Sequence, residues 1–172
     1  PGTIIGKYEG IKVVLCATHD TASAVEGIDM DEDAPYISSG TWSLLGVRTP
    51  KPITSEASER ANWSNEGGVG YNRYQINITG MWIIQCLRAE LCPDKSFADI
   101  AKMAAKSKYE SIFNVNDSAF LAPKSMKDAI SSYFAERGKA TPTDMADYFN
   151  SAYHSLAYCY NDAIIDLEAN TG

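Results

Sequence analysis

The sequence has few of the side chains that bind transition metals. It contains two histidines and four cysteines, and no pair of cysteines has the Cys-x-x-Cys spacing. A zinc site built from the chain needs such ligands in a closely spaced set, so these counts argue against a zinc protein. We expect the cysteines to be reduced, mostly buried thiols of a cytoplasmic protein. They are Cys16, Cys86, Cys92 and Cys159.

Long apolar runs and an excess of positive charge are also missing. No run approaches the roughly 20 residues that a membrane-spanning helix needs, and no basic leader with an apolar core opens the sequence. The 22 acidic residues outnumber the 15 Lys and Arg, giving a net charge of −7. This balance argues against a nucleic-acid or anionic-membrane surface. It leaves a nucleotide possible as a ligand, because backbone N–H groups and Mg²⁺ can hold the phosphates.

Strand patterns occupy the first half of the chain and helix patterns the second. Alternating or apolar runs predict strands at 3–8, 11–17, 35–40, 42–48 and 69–77. Helical spacing and capping residues predict helices at 19–27, 79–91, 97–106, 126–137 and from 142 to about 168. The predicted N-caps are, in the same order, Asp20 or Thr21, then Thr79, Ser96, Ser125 and Thr141. Residues 49–68, which contain Pro50 and Pro52, are predicted to form a long surface excursion. The three tryptophans are interpreted as core or loop packing.

Two of the predicted strands end in small polar turns. The first runs into Thr18-His19-Asp20-Thr21, and the second into Gly40-Thr41. Asp20 could accept a proton from a substrate hydroxyl, or it could simply cap the helix that follows. If the backbone is extended, His19 points to the opposite side of the chain from Asp20. The Gly-Thr turn could approach a phosphate, or it could be an ordinary tight turn, since no Walker sequence is present.

Two amides and an acidic run complete the set of candidates. Asn77 ends a predicted strand, and Gln85 lies on the helix after it. Taken alone, each would be interpreted as a polar surface residue. The acidic residues between 29 and 33 lack the ligand spacing of a calcium loop and are interpreted as a solvated loop.

Four segments together resemble one family. They are HDTASA, YISSGTWSLLG, NWSNEGG and NITGMWIIQ, in this order and within residues 10–92. This series resembles the FGGY sugar kinases of the actin-like ATPase superfamily, and within them the rhamnulokinases. The helical part beyond residue 92 carries no comparably specific motif.

The resemblance implies an ATP-dependent kinase that phosphorylates the 1-hydroxyl of L-rhamnulose with Mg²⁺. It implies that Asp20 is the proton acceptor and that His19, Thr21 and Asn77 contact the sugar. It also implies that Thr41 and Gln85 contact ATP, and it assigns no protein metal ligand. Phosphoryl transfer depends mainly on positioning and charge neutralisation, which this division of roles would provide.

The resemblance also implies a fold and a missing partner. We expect an α/β fold of the ribonuclease H/actin-like ATPase type, with a mixed sheet, flanking helices and a helical insertion at about 92–140. A DxGT-like phosphate loop and a glycine-rich adenosine stretch do not occur in the sequence. We therefore expect residues 1–172 to be a single partial domain, the first part of the C-terminal kinase domain. Without the N-terminal kinase domain, the isolated chain is expected to be inactive.

Two other functions remain open from the sequence. One is another FGGY kinase, such as one that acts on L-fuculose. The other is a non-catalytic sugar- or nucleotide-binding module of the same fold.

Overall fold

The computed structural model of the chain describes residues 2–17, 19–31 and 33–172. Thr18 of the first polar turn and Glu32 of the acidic loop lie outside the described residues. By its internal contacts the chain divides into two compact units. The first unit comprises Pro1–Ser38, Leu44–Asn77 and Leu167–Gly172, and the second comprises Ser39–Ser43 and Ile78–Asp166.

The elements confirm the predicted α/β class. The strands are β1 (Ile4–Tyr8), β2 (Ile11–Val14), β3 (Tyr36–Ser39), β4 (Trp42–Thr49), β5 (Ser64–Gly67) and β6 (Asn72–Thr79). The α-helices are α1 (Asp20–Glu26), α2 (Glu56–Arg60), α3 (Trp82–Leu91), α4 (Phe97–Ala104), α5 (Met126–Glu136) and α6 (Met145–Thr171), with a 3₁₀ turn at Ser118–Phe120. No helix of the described residues is long and apolar enough to cross a membrane.

Strands β1 and β2 form a separate antiparallel ribbon. The turn between them contains Glu9 and Gly10, both with positive φ. The predicted strand at 11–17 is shorter than expected, because β2 ends at Val14, and all of its residues are exposed. A two-stranded ribbon buries apolar side chains only when another layer covers it. The expectation of mostly buried cysteines was also wrong. Cys16 follows the uncovered ribbon and is exposed, and of the four free cysteines only Cys92 is buried.

The other four strands form one sheet in the order β3-β4-β6-β5. The two residues Gly40 and Thr41 join β3 to β4, as predicted, and a connection this short makes the two strands antiparallel. Strand β5 is an edge strand that pairs antiparallel with β6, with Glu66 opposite Arg73. Strand β5 and helix α2 lie within the segment 49–68 that was predicted to be only a surface excursion. Both elements are short, so the amino-acid composition of the segment did not reveal them.

Helix α3 begins three residues later than predicted. Thr79 is the last residue of β6, where its N–H donates to Asn116 Oδ1, so it does not cap the helix. The residue before the helix, Met81, makes no side-chain capping bond. The long helix α6 also begins late, at Met145, because the Asp144 carboxylate accepts from the N–H of Asp147 at 3.0 Å.

The predicted caps of the two middle helices are confirmed. Ser96 accepts from the N–H of Asp99 at the start of α4, and Ser125 accepts from the N–H of Asp128 at the start of α5. These elements, together with an aromatic cluster around Phe113 and Phe134, lie in the second unit. Residues 92–140 contain helices but no strand among the described elements. That this segment is an insertion stays a prediction.

The tryptophans divide between core and surface. Trp63 is buried and stacks on Tyr74 with ring centroids 4.8 Å apart. Trp42 is 50% exposed, so its assignment to packing was wrong. It begins β4 directly after the Gly-Thr turn.

Candidate functional site

The first candidate group lies at the start of α1, in the first unit. The predicted caps were Asp20 or Thr21, but the structure places His19 at the N-cap, with extended backbone and its Nδ1 accepting from the N–H of Thr21 at 3.3 Å. The same N–H lies closer to Asp20, at 2.7 Å from Oδ1. Asp20 is thus the first residue of the helix, where a carboxylate also interacts favourably with the helix dipole.

His19 and Asp20 lie side by side. His19 Nδ1 is 3.2 Å from Asp20 Oδ1, because the chain turns into the helix immediately after His19. The expectation that an extended backbone would separate the two side chains therefore does not hold. The Asp20 side chain is 95% exposed, whereas Thr21 is buried and its hydroxyl lies 3.4 Å from Asp20 Oδ1. The contacts found among the described residues all reach Oδ1, which leaves Oδ2 accessible to a substrate hydroxyl.

A cavity of about 340 Å³ adjoins this group. One side consists of Cys16, Ala17, His19 and Ala22, and the other of Gly67, Gly68 and Val69. Both glycines fall within the segment 49–68 that was predicted to be a surface excursion. The glycine pair lines the same cavity as His19 through a tertiary contact between distant segments, which local sequence does not reveal.

Asn77 is exposed on β6, in the same unit. It is not among the described residues that line the cavity beside His19. Asn77 is therefore accessible to a ligand, but the structure does not join it to the His19 group.

The second candidate group is the Gly-Thr turn, in the second unit. The turn is held by the first backbone N–H groups of α3 and the residues before it. The N–H groups of Gly80 and Trp82 donate to the Thr41 carbonyl at 3.2 and 3.1 Å, and that of Met81 donates to the Gly40 carbonyl at 2.9 Å. The bonds from Met81 and Trp82 satisfy two of the donors that a helix start leaves unpaired, and all three bonds fix the turn against the helix.

Thr41 and Gln85 meet in the structure. The Thr41 hydroxyl lies 3.5 Å from Gln85 Oε1, although the two residues are 44 positions apart in sequence. This distance is at the outer limit of a hydrogen bond, so the hydroxyl can be drawn to another acceptor at little cost. Thr41 is exposed and Gln85 is half-buried, so both can contact a ligand.

Two further residues support this turn and were missed from the sequence. Ser43 is fully buried, and its hydroxyl lies 2.7 Å from the Tyr160 hydroxyl. Gly80 packs so closely that an added Cβ would lie 2.5 Å from Ser43 Oγ and 2.8 Å from the Gly40 carbonyl oxygen. Glycine before a helix is often only a flexible link, so its steric role was not evident from the sequence.

Two of the thiols are held in the protonated form, and the described residues contain no preformed metal-ligand cluster. Burial, reinforced by nearby carboxylates, raises the pKa of the thiols of Cys86 and Cys159, which keeps both protonated at neutral pH. Within residues 2–17, 19–31 and 33–172 no three His, Cys, Asp or Glu side chains converge as a metal-ligand set. Magnesium bound through nucleotide phosphates requires only one or two protein carboxylates.

Comparison with known proteins identifies a family for most of the chain. Residues 35–172 match the family model described as "FGGY family of carbohydrate kinases, C-terminal domain". That match includes Thr41, Asn77 and Gln85, while His19, Asp20 and Thr21 precede it.

Several similar curated proteins are named rhamnulokinase. The one from Oceanobacillus iheyensis is 40% identical over 157 residues, covering 91% of this chain and 33% of that protein. Those from Pectobacterium carotovorum and Mannheimia succiniciproducens are 37% and 36% identical and cover 97% and 100% of this chain, but 35% and 36% of the relatives. The chain thus spans about a third of the length of these relatives.

Proposed function

The chain belongs to the FGGY family of carbohydrate kinases, and on that basis we propose that the protein of which it forms part is a rhamnulokinase. It would transfer the γ-phosphate of ATP to the 1-hydroxyl of L-rhamnulose. The observation that carries the proposal is the exposed Asp20 carboxylate, fixed through Oδ1 at the start of α1 beside a cavity. The names of the similar proteins support the choice of sugar.

Asp20 would act as the general base. Its Oδ2 accepts a hydrogen bond from the sugar hydroxyl, orients the oxygen for attack and takes the proton as bonding to phosphorus develops. The Thr21 N–H, bound to Oδ1 at 2.7 Å, holds the carboxylate in place. His19 and Thr21 contact the sugar, and Asn77 supplies a further amide from β6.

Thr41 and Gln85 would bind ATP. The Thr41 hydroxyl can leave its weak contact with Gln85 and donate to a phosphate oxygen, while the Gln85 amide group supplies further donors. Magnesium would accompany the nucleotide and neutralise charge on the phosphates. The chemistry of this donor set fits such a ligand, because neutral hydroxyl and amide groups bind phosphate oxygens without competing for the cation.

The chain would work only with the remainder of the parent protein. It spans about a third of the length of its relatives, so we place the other nucleotide and sugar contacts, and the N-terminal kinase domain, outside it. The isolated chain would show no kinase turnover. The four free cysteines support a cytoplasmic location for the protein.

Replacing Asp20 with Asn in the full-length parent protein tests the proposal. The Asn oxygen can still accept from the Thr21 N–H, so the helix start should survive while the base is lost. We expect kcat to fall by a factor of about 10²–10⁴, with the dissociation constant for L-rhamnulose nearly unchanged. Asp99→Asn, the same chemical change at the start of α4, is the matched control and should leave kcat unaltered.

The outcomes separate the candidate functions. A non-catalytic binding module would show no ketose-dependent consumption of ATP in the unsubstituted protein. A kinase for L-fuculose would show a higher kcat/KM for that sugar than for L-rhamnulose. An Asp20→Asn variant with normal kcat would refute the assigned base.

A further inference from the structure

Arg73 is the most deeply buried charged side chain in the first unit's sheet. It lies on β6, and its side chain is 1% exposed. Its guanidinium donates through Nη2 to Glu66 Oε2 at 2.8 Å and through Nη1 to Gln75 Oε1 at 3.1 Å. Its Nε donates to the carbonyl oxygen of Gly67 at 3.2 Å. A buried charge is tolerated only when it is paired and hydrogen-bonded, and these three bonds supply that pairing for Arg73.

Two of the three partners of Arg73 belong to strand β5. Glu66 is its direct cross-strand partner, and Gly67 is the last residue of the strand. Strand β5 is a four-residue edge strand whose side chains are at most half-buried, so little apolar packing holds it. The Arg73 fork is therefore a principal restraint on the end of this strand.

The end of β5 is also one wall of the cavity that faces His19. Gly67, Gly68 and Val69 form that wall. The Gly68 N–H donates to the Tyr71 carbonyl at 2.9 Å, and an added Cβ on Gly68 would lie 2.2 Å from a Tyr71 ring carbon. Displacing Gly67 would therefore move the wall and alter the width of the cavity.

The polar network behind the wall extends to β3. The Tyr36 hydroxyl donates to the same Gln75 oxygen at 2.8 Å, and burial raises the pKa of Tyr36 to about 12. The phenol therefore remains a donor at all physiological pH values. It holds Gln75 in the position in which it accepts from Arg73.

We propose that Arg73 is a positioning residue for sugar binding, which fixes the Gly67–Gly68 wall opposite His19 without touching the substrate itself. The inference rests on the proposed function, because it takes the cavity beside His19 as the ketose site. It predicts that Arg73 governs affinity for the ketose and has little influence on ATP or on the chemical step.

The test is Arg73→Lys in the full-length parent protein. Lysine keeps the charge that Glu66 needs but presents a single ammonium, which cannot reproduce the guanidinium fork. We expect the ketose KM and the ketose dissociation constant to rise about tenfold, with kcat and the ATP KM within about twofold of the parent values. Arg60→Lys, at an exposed pair with Glu56, is the matched control and should change none of these constants.

A merely structural role would give a different pattern. It would lower the active fraction and hence the maximal rate, while the ketose KM and dissociation constant would stay at the parent values. That result would overturn the inference. If Arg73→Lys does not fold, the same constants are measured for Glu66→Gln, which keeps the side-chain shape and an acceptor but removes the negative charge. The same rise in the ketose KM and dissociation constant is then expected.

The ketose used is whichever of L-rhamnulose and L-fuculose the parent phosphorylates. If the parent phosphorylates the ketose but the variants keep its ketose KM and dissociation constant, the positioning role is refuted and the proposed function stands. If the parent phosphorylates neither sugar, the proposed function fails and the inference falls with it.

Discussion

Gly80 should be intolerant of any side chain, because the Gly40–Ser43 turn lies directly against its backbone. A Cβ at this position would lie 2.5 Å from Ser43 Oγ and 2.8 Å from both the Gly40 carbonyl oxygen and the Ser43 nitrogen. Real Cβ atoms do not approach other atoms this closely, so part of the turn must move. Two of the three neighbours are backbone atoms, which cannot rotate away.

The third neighbour is also restrained. The Ser43 hydroxyl is buried and lies 2.7 Å from the Tyr160 hydroxyl, so rotating it away would break that bond. Overpacking of this kind costs about 1–3 kcal/mol. For a protein of 150–250 residues each kcal/mol lowers the melting temperature by about 2–4 °C, and a longer parent would shift less.

The movement should also reach Thr41. The Gly80 N–H donates to the Thr41 carbonyl, and the next N–H groups bind the same turn. Displacing the turn from α3 should therefore separate Thr41 from Gln85 and weaken ATP binding. We expect Gly80→Ala in the full-length protein to lower the melting temperature and to raise the ATP KM, with the ketose KM unchanged.

Gly6→Ala provides the matched control. A Cβ on Gly6 would meet nothing within 4 Å, and Gly6 has no positive φ, so this substitution should be neutral or slightly stabilising. Thermal unfolding and ATP kinetics on both variants decide the matter. Equal melting temperatures for the two variants, together with an unchanged ATP KM for Gly80→Ala, would refute the steric reasoning.

Two further predictions concern single hydroxyl groups. Thr41→Val keeps the shape of the side chain but removes the donor, so the ATP KM should rise several-fold while the ketose KM stays constant; an unchanged ATP KM would exclude Thr41 from the nucleotide site. Burial raises the pKa of Tyr36 from 10.0 to about 12, so the folded state favours the protonated phenol. The contribution of this phenol to the stability of the fold is therefore complete below pH 10 and is lost as the pH rises from 10 through 12. Denaturant titrations at pH 9 and 11 should therefore show a smaller alkaline loss of stability for Tyr36→Phe than for the unsubstituted protein, and equal losses would contradict the assigned burial effect.

Structural features that depend on neighbouring residues were predictable from the sequence. The caps of α4 and α5 lie where Ser96 and Ser125 were expected, because a capping bond joins residues three apart and needs no tertiary contact. The connection at Gly40-Thr41 was predictable for the same reason, since it depends on two adjacent residues. The start of α3 was not, because it is fixed by carbonyl groups of the distant Gly40–Thr41 turn.

The sequence by itself determined the α/β class, the candidate residues at the two polar turns and the family to which they point. Only the tertiary structure decided which of them meet: Thr41 lies against Gln85, and His19 faces Gly67 across a cavity. It also decided that Arg73 is buried and that the β1–β2 ribbon is exposed. The physical reason is that the burial of a strand residue depends on which elements pack over the strand. Contacts between residues far apart in sequence likewise leave no pattern in the local sequence around either residue.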